Sequence, residues 1–512
     1  MSRLKQIMDT LQAMPFFGIL FQKNIKMIKI FRIILVLFFI GQGISSIGQS
    51  SLQAAIDHFV DDPLLVHSSI GIVVLDIQSG KIIAQYDKNR GLMPASILKI
   101  VTTSSALGLL GGDYRFKTEL NYTGSIDREG TLNGNLFLTG FGDPSLGSER
   151  WEGLDAVMKE FTGAILKKGI KCIEGSIIGD GSYFDTAAAP EGWQWQDLGN
   201  YYGAGVWGLN LNENLYHITF AQSNTMGGKP RITGIRPEIS NLSFVNELAS
   251  GARGSGDNAY IFGAPYNSTR FIRGTIPRGT GTFSIKGSIP DGPLFAAQTL
   301  AAKLDEAGLT ANKGVFSDLT YPGKIPDHSS RKILYTHHSL PLREIVDITN
   351  HKSINLYCEA MLKTIGAKKH KQGNIQKGIT QVESYWQERG LSFEGIHLVD
   401  GSGLSRTNIV TANFMAQLLR KISLNKSIYK DFYHSLSIAG KTGYVQSILK
   451  NTRAEGNLRA KTGTMESVRS FAGYATMKNG KKVSFCIIVN NFEGTGRDIR
   501  QKCAKIMKAI CN

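Results

Sequence analysis

Between about Tyr114 and about Pro326 the chain changes texture. Short runs such as GNLFLTG, EGSIIGDGSYF and GTFSIKGSI alternate with Gly, Asn, Asp and Pro, the pattern of short strands joined by turns. Two stretches inside it, WEGLDAVMKEFTGAILKKGI and LFAAQTLAAKLDEAGL, carry helical periodicity instead. The flanks differ. Ile70–Asp87 predicts a hairpin, GIVVLDI and KIIAQYD around a turn at Gln78-Ser79-Gly80. A helix follows Pro94 in ASILKIVTTSSALGLLG and stops at Gly111-Gly112. Helical patterns return at Pro341–Ile365, Ile375–Arg389 and Thr411–Ile422. The chain closes with the hairpin SFAGYATMKNGKKVSFCIIVNN, turning at Asn479-Gly480, and a helix over Asp498–Ile510. The layout predicts an α+β body, residues 49–113 and 337–512, interrupted by a β-rich insertion over 114–336 that holds two nested smaller domains.

Residues 1–48 form an N-terminal extension. Within it Lys23, Lys26, Lys29 and Arg32 precede the apolar run Ile33–Ile40, and Ser46-Ile47-Gly48 offers a small-x-small cleavage site. That is the pattern of a cleavable export signal over 27–48, too short for a membrane span. It predicts an exported, periplasmic protein with at most peripheral membrane association. The formal charge is +17; residues 1–49 hold six Lys/Arg against one Asp, so about +12 belongs to the rest. No Cys/His finger, aromatic nucleic-acid motif or dense basic block accompanies this charge, so nucleic acid is not expected. An anionic wall polymer suits it. The five cysteines are scattered without C-x-x-C spacing, which argues against a metal site or a disulfide framework.

Three motifs carry chemistry. Ser96-Ile97-Leu98-Lys99 opens a predicted helix, where a spacing of three puts a hydroxyl and an amine on one face. A lysine partly buried there can act as the base that activates the serine. Ser353-Ile354-Asn355 stands where a helical pattern begins; a hydroxyl and a carboxamide two residues apart could shuttle a proton and hold a substrate amide, the bland alternative being an N-cap Ser with an incidental Asn. Lys-Thr-Gly occurs twice, at Lys441–Gly443 and Lys461–Gly463. The second copy, with Thr464, leads into the closing hairpin; on a strand edge its glycine would admit a substrate backbone while Lys461, Thr462 and Thr464 face a carboxylate. The first copy is followed by the polar run KNTRAEGN and is expected to be a loop. Gly401-Ser402-Gly403 lacks the preceding glycine of a nucleophile elbow and is set aside.

The order S-x-x-K, S-x-N, K-T-G is the active-site set of penicillin-binding proteins and class A β-lactamases. From about residue 51 onward the chain resembles class C low-molecular-mass penicillin-binding proteins, the D-alanyl-D-alanine carboxypeptidase/endopeptidase group. LTGFGDPSLG (138–147), GDGSYFD (179–185), GWQWQDL (192–198), DGSGLSR (400–406) and SFAGY (470–474) extend the likeness. That family places two extra β-rich domains between the first two motifs of a penicillin-binding protein/serine β-lactamase-like transpeptidase body, which suits the 257 positions from Ser96 to Ser353. The resemblance implies that Ser96 attacks a D-Ala-D-Ala carbonyl of a peptidoglycan stem or cross-link, with Lys99 as base. It implies that Ser353 passes the proton on and Asn355 orients Lys99 and the substrate amide. Lys461, Thr462, Gly463 and Thr464 would hold the terminal carboxylate, and backbone N–H groups of Ser96 and Thr464 the oxyanion. β-Lactams would acylate Ser96, and no metal or cofactor is implied. A serine β-lactamase or esterase, or a non-catalytic wall-binding protein, are the rival readings; no E-x-x-L-N-like segment follows Ser353. In GWQWQDL, Trp193 and Trp195 are either core or exposed, and Asp197 is a candidate for binding a free amine of the stem.

Overall fold

The computed structural model describes residues 51–512. The expected export signal lies outside these described residues. The body is built on a six-stranded antiparallel sheet, ordered Ser437–Ile438, Arg459–Met465, Val468–Thr476, Lys482–Asn490, Ser69–Asp76, Ile82–Tyr86. The closing hairpin therefore pairs with the opening one, Ser69 opposite Asn490 and Asp76 opposite Val483. Ser69–Asp76 and Lys482–Asn490 are almost wholly buried, as expected for strands covered on both faces. The helix Gly496–Cys511 ends the chain, its Thr495 and Asp498 forming a capping box.

Helix Ala412–Leu424 packs against the sheet, and helices Lys99–Leu109, Asn355–Lys369 and Ile375–Gln387 pack on one another, around one hydrophobic core that includes Ile97, Val101, Met361, Trp386 and Met415. Lys99–Leu109 is buried nearly throughout despite four consecutive hydroxyl residues. Thr103, Ser104 and Ser105 return their hydroxyls to carbonyls four residues back, each at 2.6 Å, so burial leaves no donor unmet. Trp386 Nε1 donates to Ser105 Oγ at 2.8 Å, locking helix Ile375–Gln387 onto this one. The tract expected as one helical pattern over Pro341–Ile365 is two helices, Leu342–Lys352 and Asn355–Lys369, broken at Ser353. A further helix, Lys426–Ser435, follows Ala412–Leu424 beyond the helical pattern of Thr411–Ile422.

Between body segments, the chain forms two groups of sheets with a core of their own, including Leu138, Phe161, Ile218, Ile272 and Phe295. One group is all-β: strands from Leu215–Ala221 to Thr282–Ser288 make a three-stranded and a four-stranded sheet. The other is mixed. In its five-stranded sheet, Ile177–Asp180 runs parallel to both Leu136–Gly140 and Val315–Ser317. Helix Gly292–Glu306 packs on that sheet and Leu154–Lys167 on the helix. Parallel pairing needs a crossover, and these helices supply crossovers that short strand-like runs do not reveal.

Candidate active site

Ser96 lies on a single 3₁₀ turn, Ala95–Leu98, that leads into the helix beginning at Lys99. Ala95 holds φ 49°, a left-handed conformation that a non-glycine residue keeps only under outside constraint. The constraint is visible in two glycines. A Cβ on Gly403 (φ 81°) would sit 2.0 Å from the Ala95 carbonyl oxygen, and one on Gly463 would meet Pro94 O at 2.7 Å and Ser96 N at 3.0 Å. Gly463 thus leaves room for the turn that carries Ser96.

Lys99 is fully buried. Its Nζ lies 2.9 Å from Ser96 Oγ, 2.6 Å from Asn355 Oδ1 and 2.7 Å from the Ser402 carbonyl oxygen. Burial lowers its pKa from the ordinary lysine value, against the pull of Cys358, Asp400 and Glu359. A neutral amine has two hydrogens and one lone pair. The carboxamide and carbonyl oxygens can only accept, so they take both hydrogens, and the lone pair is left for the Ser96 hydroxyl. This arrangement can withdraw the serine proton. Asn355 itself is oriented from the insertion: its Nδ2 donates to the Tyr202 carbonyl at 2.7 Å, which turns Oδ1 toward Lys99.

Ser353 is the C-cap of Leu342–Lys352, at φ 58°, ψ 44°, and Ile354 rather than Ser353 is the N-cap of the following helix. The bland N-cap alternative for Ser353 thus falls away: the left-handed bend places Ser353 between two helices. Its Oγ accepts from Lys461 Nζ at 2.8 Å. Lys461 also donates to the Thr462 carbonyl at 2.9 Å and is buried. Burial and the nearby Lys99 push its pKa well below the ordinary value. Lys461, Thr462, Gly463 and Thr464 stand on the strand Arg459–Met465, paired with Val468–Thr476.

A cavity of about 930 Å³ opens over these groups, lined by Ser96, Ser353, Asn355, Thr462 and Thr464. Asp197 also lines it, with Tyr202, whose hydroxyl donates to Asp197 Oδ1 at 3.3 Å. Burial raises the Asp197 pKa, a shift opposed by that hydrogen bond and by Arg406. Of the two tryptophans, Trp193 is buried and donates to Asp400 Oδ2 at 2.9 Å, whereas Trp195 is 52% exposed beside Phe262.

The loop DGSGLSR belongs to the site through atoms that its serine pattern does not advertise. The Ser402 carbonyl faces Lys99, and Asp400 accepts from Gly403 N, Ser405 N, Asn408 Nδ2 and Trp193 Nε1. Behind it Glu359 is fully buried, accepts from Gly401 N at 2.9 Å, and is raised to about 8 by burial and by Asp400. Lys363 Nζ donates to Asp185 Oδ1 and the Ala187 carbonyl, and Tyr357 to Glu213, so the helix after Ser353 is clasped to the insertion along its length. The first Lys-Thr-Gly is a turn: Lys441 and Thr442 N–H both donate to the Ile438 carbonyl, and Lys441 is exposed. All five cysteines are free.

Residues 52–510 match the D-Ala-D-Ala carboxypeptidase 3 (S13) family. A D-alanyl-D-alanine carboxypeptidase of Actinomadura sp. (strain R39) is 29% identical over 463 residues, 87% of this chain and 82% of that protein. The D-alanyl-D-alanine carboxypeptidase DacB of Haemophilus influenzae is 25% identical, over 86% and 89% of the two chains. The crystal structure of penicillin binding protein 4 from Haemophilus influenzae superposes with a TM-score of 0.75 at 24% identity, covering 86% of this chain and 95% of that one, and so shares the fold. Among the described residues no helix is long and apolar enough to cross a membrane. The chain belongs to the D-Ala-D-Ala carboxypeptidase 3 (S13) family, and is a serine-type D-Ala-D-Ala carboxypeptidase of the class C penicillin-binding kind.

Proposed function

We propose that Ser96 is the nucleophile, Lys99 its base, and Ser353 the relay that carries the proton to the departing amine. The observation that supports this most is the Lys99 amine, buried with two obligate acceptors and one hydroxyl around it. In acylation Ser96 Oγ bonds to the carbonyl carbon between the two D-residues as its proton passes to Lys99. The tetrahedral oxyanion is met by the backbone N–H groups of Ser96 and Thr464; one such donor contributes roughly 3–4 kcal/mol to the transition state. The amide C–N bond then breaks, the amine takes a proton through Ser353 from the lysine side, and water releases the acyl group with Lys99 again as base. Thr462 and Thr464 hydroxyls hold the terminal carboxylate, and Lys461 anchors Ser353.

The substrates in this reading are peptidoglycan stem peptides and their D,D-cross-links, reached after export directed by residues 27–48. A β-lactam offers the same carbonyl and would acylate Ser96; a second crystal structure of the Haemophilus influenzae protein, with a TM-score of 0.70, holds a β-lactam. The insertion, residues 114–336, contributes the Tyr202 carbonyl and Asp197 to the site, the latter as a partner for a free amine on the stem. The test is covalent labelling. A fluorescent penicillin should label wild-type protein on the Ser96 peptide, and Ser96→Ala should lose the label while keeping its fold; persistent labelling of that variant rejects the assignment.

A further inference from the structure

The second Lys-Thr-Gly does not bring its own cation to the cavity. Lys461 is buried with Nζ committed to Ser353 Oγ and the Thr462 carbonyl. Burial and Lys99 both disfavour its charge. The cavity wall carries guanidinium groups instead, from Arg406, Arg469 and Arg500. Arg406 is paired with Glu466 at 3.3 Å. Among the described residues neither Arg469 nor Arg500 pairs with a carboxylate.

Arg469 is directly opposite Thr464 in the antiparallel strand pair, so the two side chains share the face on which Thr462 and Thr464 meet the cavity. Its Nη1 donates to Thr464 Oγ1, and its Nε to the Gly496 carbonyl at 3.0 Å. Gly496 leaves room for the guanidinium in this position: a Cβ there would lie 2.0 Å from Arg469 Nη2, and the arginine would have to shift. Arg500 is braced separately, by the Tyr444 carbonyl at 2.6 Å and Ser447 Oγ at 2.7 Å. Burial and the neighbouring Arg500 both act against the charge on Arg469. Two half-buried guanidinium groups lining one cavity without a carboxylate partner are stabilised by an arriving anion, and a planar fork suits a carboxylate.

We propose that Arg469, with Thr462 and Thr464, receives the C-terminal carboxylate of the D-Ala-D-Ala substrate, and that Arg500 strengthens the same field. Arg469 is then a specificity residue: it selects peptides that end in a free carboxylate. The proposal rests on the reading of Ser96 as the nucleophile facing this cavity.

The experiment compares an N-acylated D-Ala-D-Ala peptide with its C-terminal carboxamide, in wild type and in Arg469→Gln. Wild type should favour the carboxylate. Arg469→Gln should lose about 10–100-fold in kcat/KM on the carboxylate peptide, chiefly through KM, and stay within about threefold on the carboxamide. Arg469→Lys should recover part of the loss. The proposal is overturned if Arg469→Gln keeps the wild-type preference for carboxylate, or if it loses equally on both peptides. Failure of the premise would look different: Ser96→Ala would retain turnover of both peptides, and the proposal would fall with it.

Discussion

The two Lys-Thr-Gly copies begin only twenty positions apart and have the same three side chains, yet they share almost nothing else. At Lys461 the tripeptide is strand, with Lys461, Thr462 and Gly463 opposite Ala472, Phe471 and Ser470. At Lys441 it follows a two-residue edge strand and turns back on itself, Thr442 Oγ1 accepting from Ile438 N at 2.9 Å. One lysine is buried between Ser353 and a carbonyl; the other is exposed. One glycine accommodates the nucleophile turn; the other, at φ 57°, closes a loop over Ser437. A tripeptide therefore carries no chemistry by itself. The neighbouring strand decides whether its lysine meets a serine or meets water.

The largest expected effect tests that contrast directly. Lys461→Ala should lower peptide turnover and penicillin acylation by about 10²–10³-fold, since Ser353 loses the donor that fixes it. Lys441→Ala should stay within about threefold on both assays. Comparable losses from the two, in folded protein, would break the comparison.

A pH profile sharpens it. With Lys99 as the proposed base, acylation needs its neutral form, so the rate should rise with pH through the lowered pKa of that buried amine. Asn355→Asp puts a negative charge where Asn355 Oδ1 now accepts from Lys99. That charge favours the ammonium form, so the acid limb should move to higher pH. Lys441→Ala should leave the limb in place, because an exposed amine has no part in it. An unmoved limb in Asn355→Asp would remove Lys99 as the titrating base.

The smallest effect is expected across the cavity from the functional copy. Asp197→Asn should slow turnover of stem peptides bearing a free side-chain amine by about three- to tenfold, yet leave penicillin acylation unchanged. If both activities fell together, or neither changed, Asp197 would be a structural residue and the strand would set selectivity without it.

What the sequence disclosed follows from which atoms do the work. The roles proposed for Ser96, Lys99, Ser353, Asn355 and Lys461 are side-chain roles, and their spacing on helix starts and a strand is visible in one dimension. The Ser402 and Tyr202 carbonyls act through the main chain, which every residue possesses, so nothing in the letters marks them. Ser353 looked like a cap because Ser commonly is one; its left-handed φ depends on how two helices meet. Arg469 reads as an ordinary polar residue in a strand until Thr464 is set opposite it. The helix Lys426–Ser435 was missed because its buried residues are few: Ile428, Phe432 and Ser435. The mixed sheet around Ile177–Asp180 escaped because parallel partners come from distant segments.

Lys99 takes its partners from Asn355 and Ser402, 256 and 303 positions downstream, and Lys461 arrives later still. A chain emerging from synthesis or translocation thus carries a serine with no base-orienting partners until nearly its whole length is available. The enzyme is born inert. Covalent capture of a β-lactam would then count completed molecules, and the ratio of labelled to total protein would measure folding yield without any structural probe.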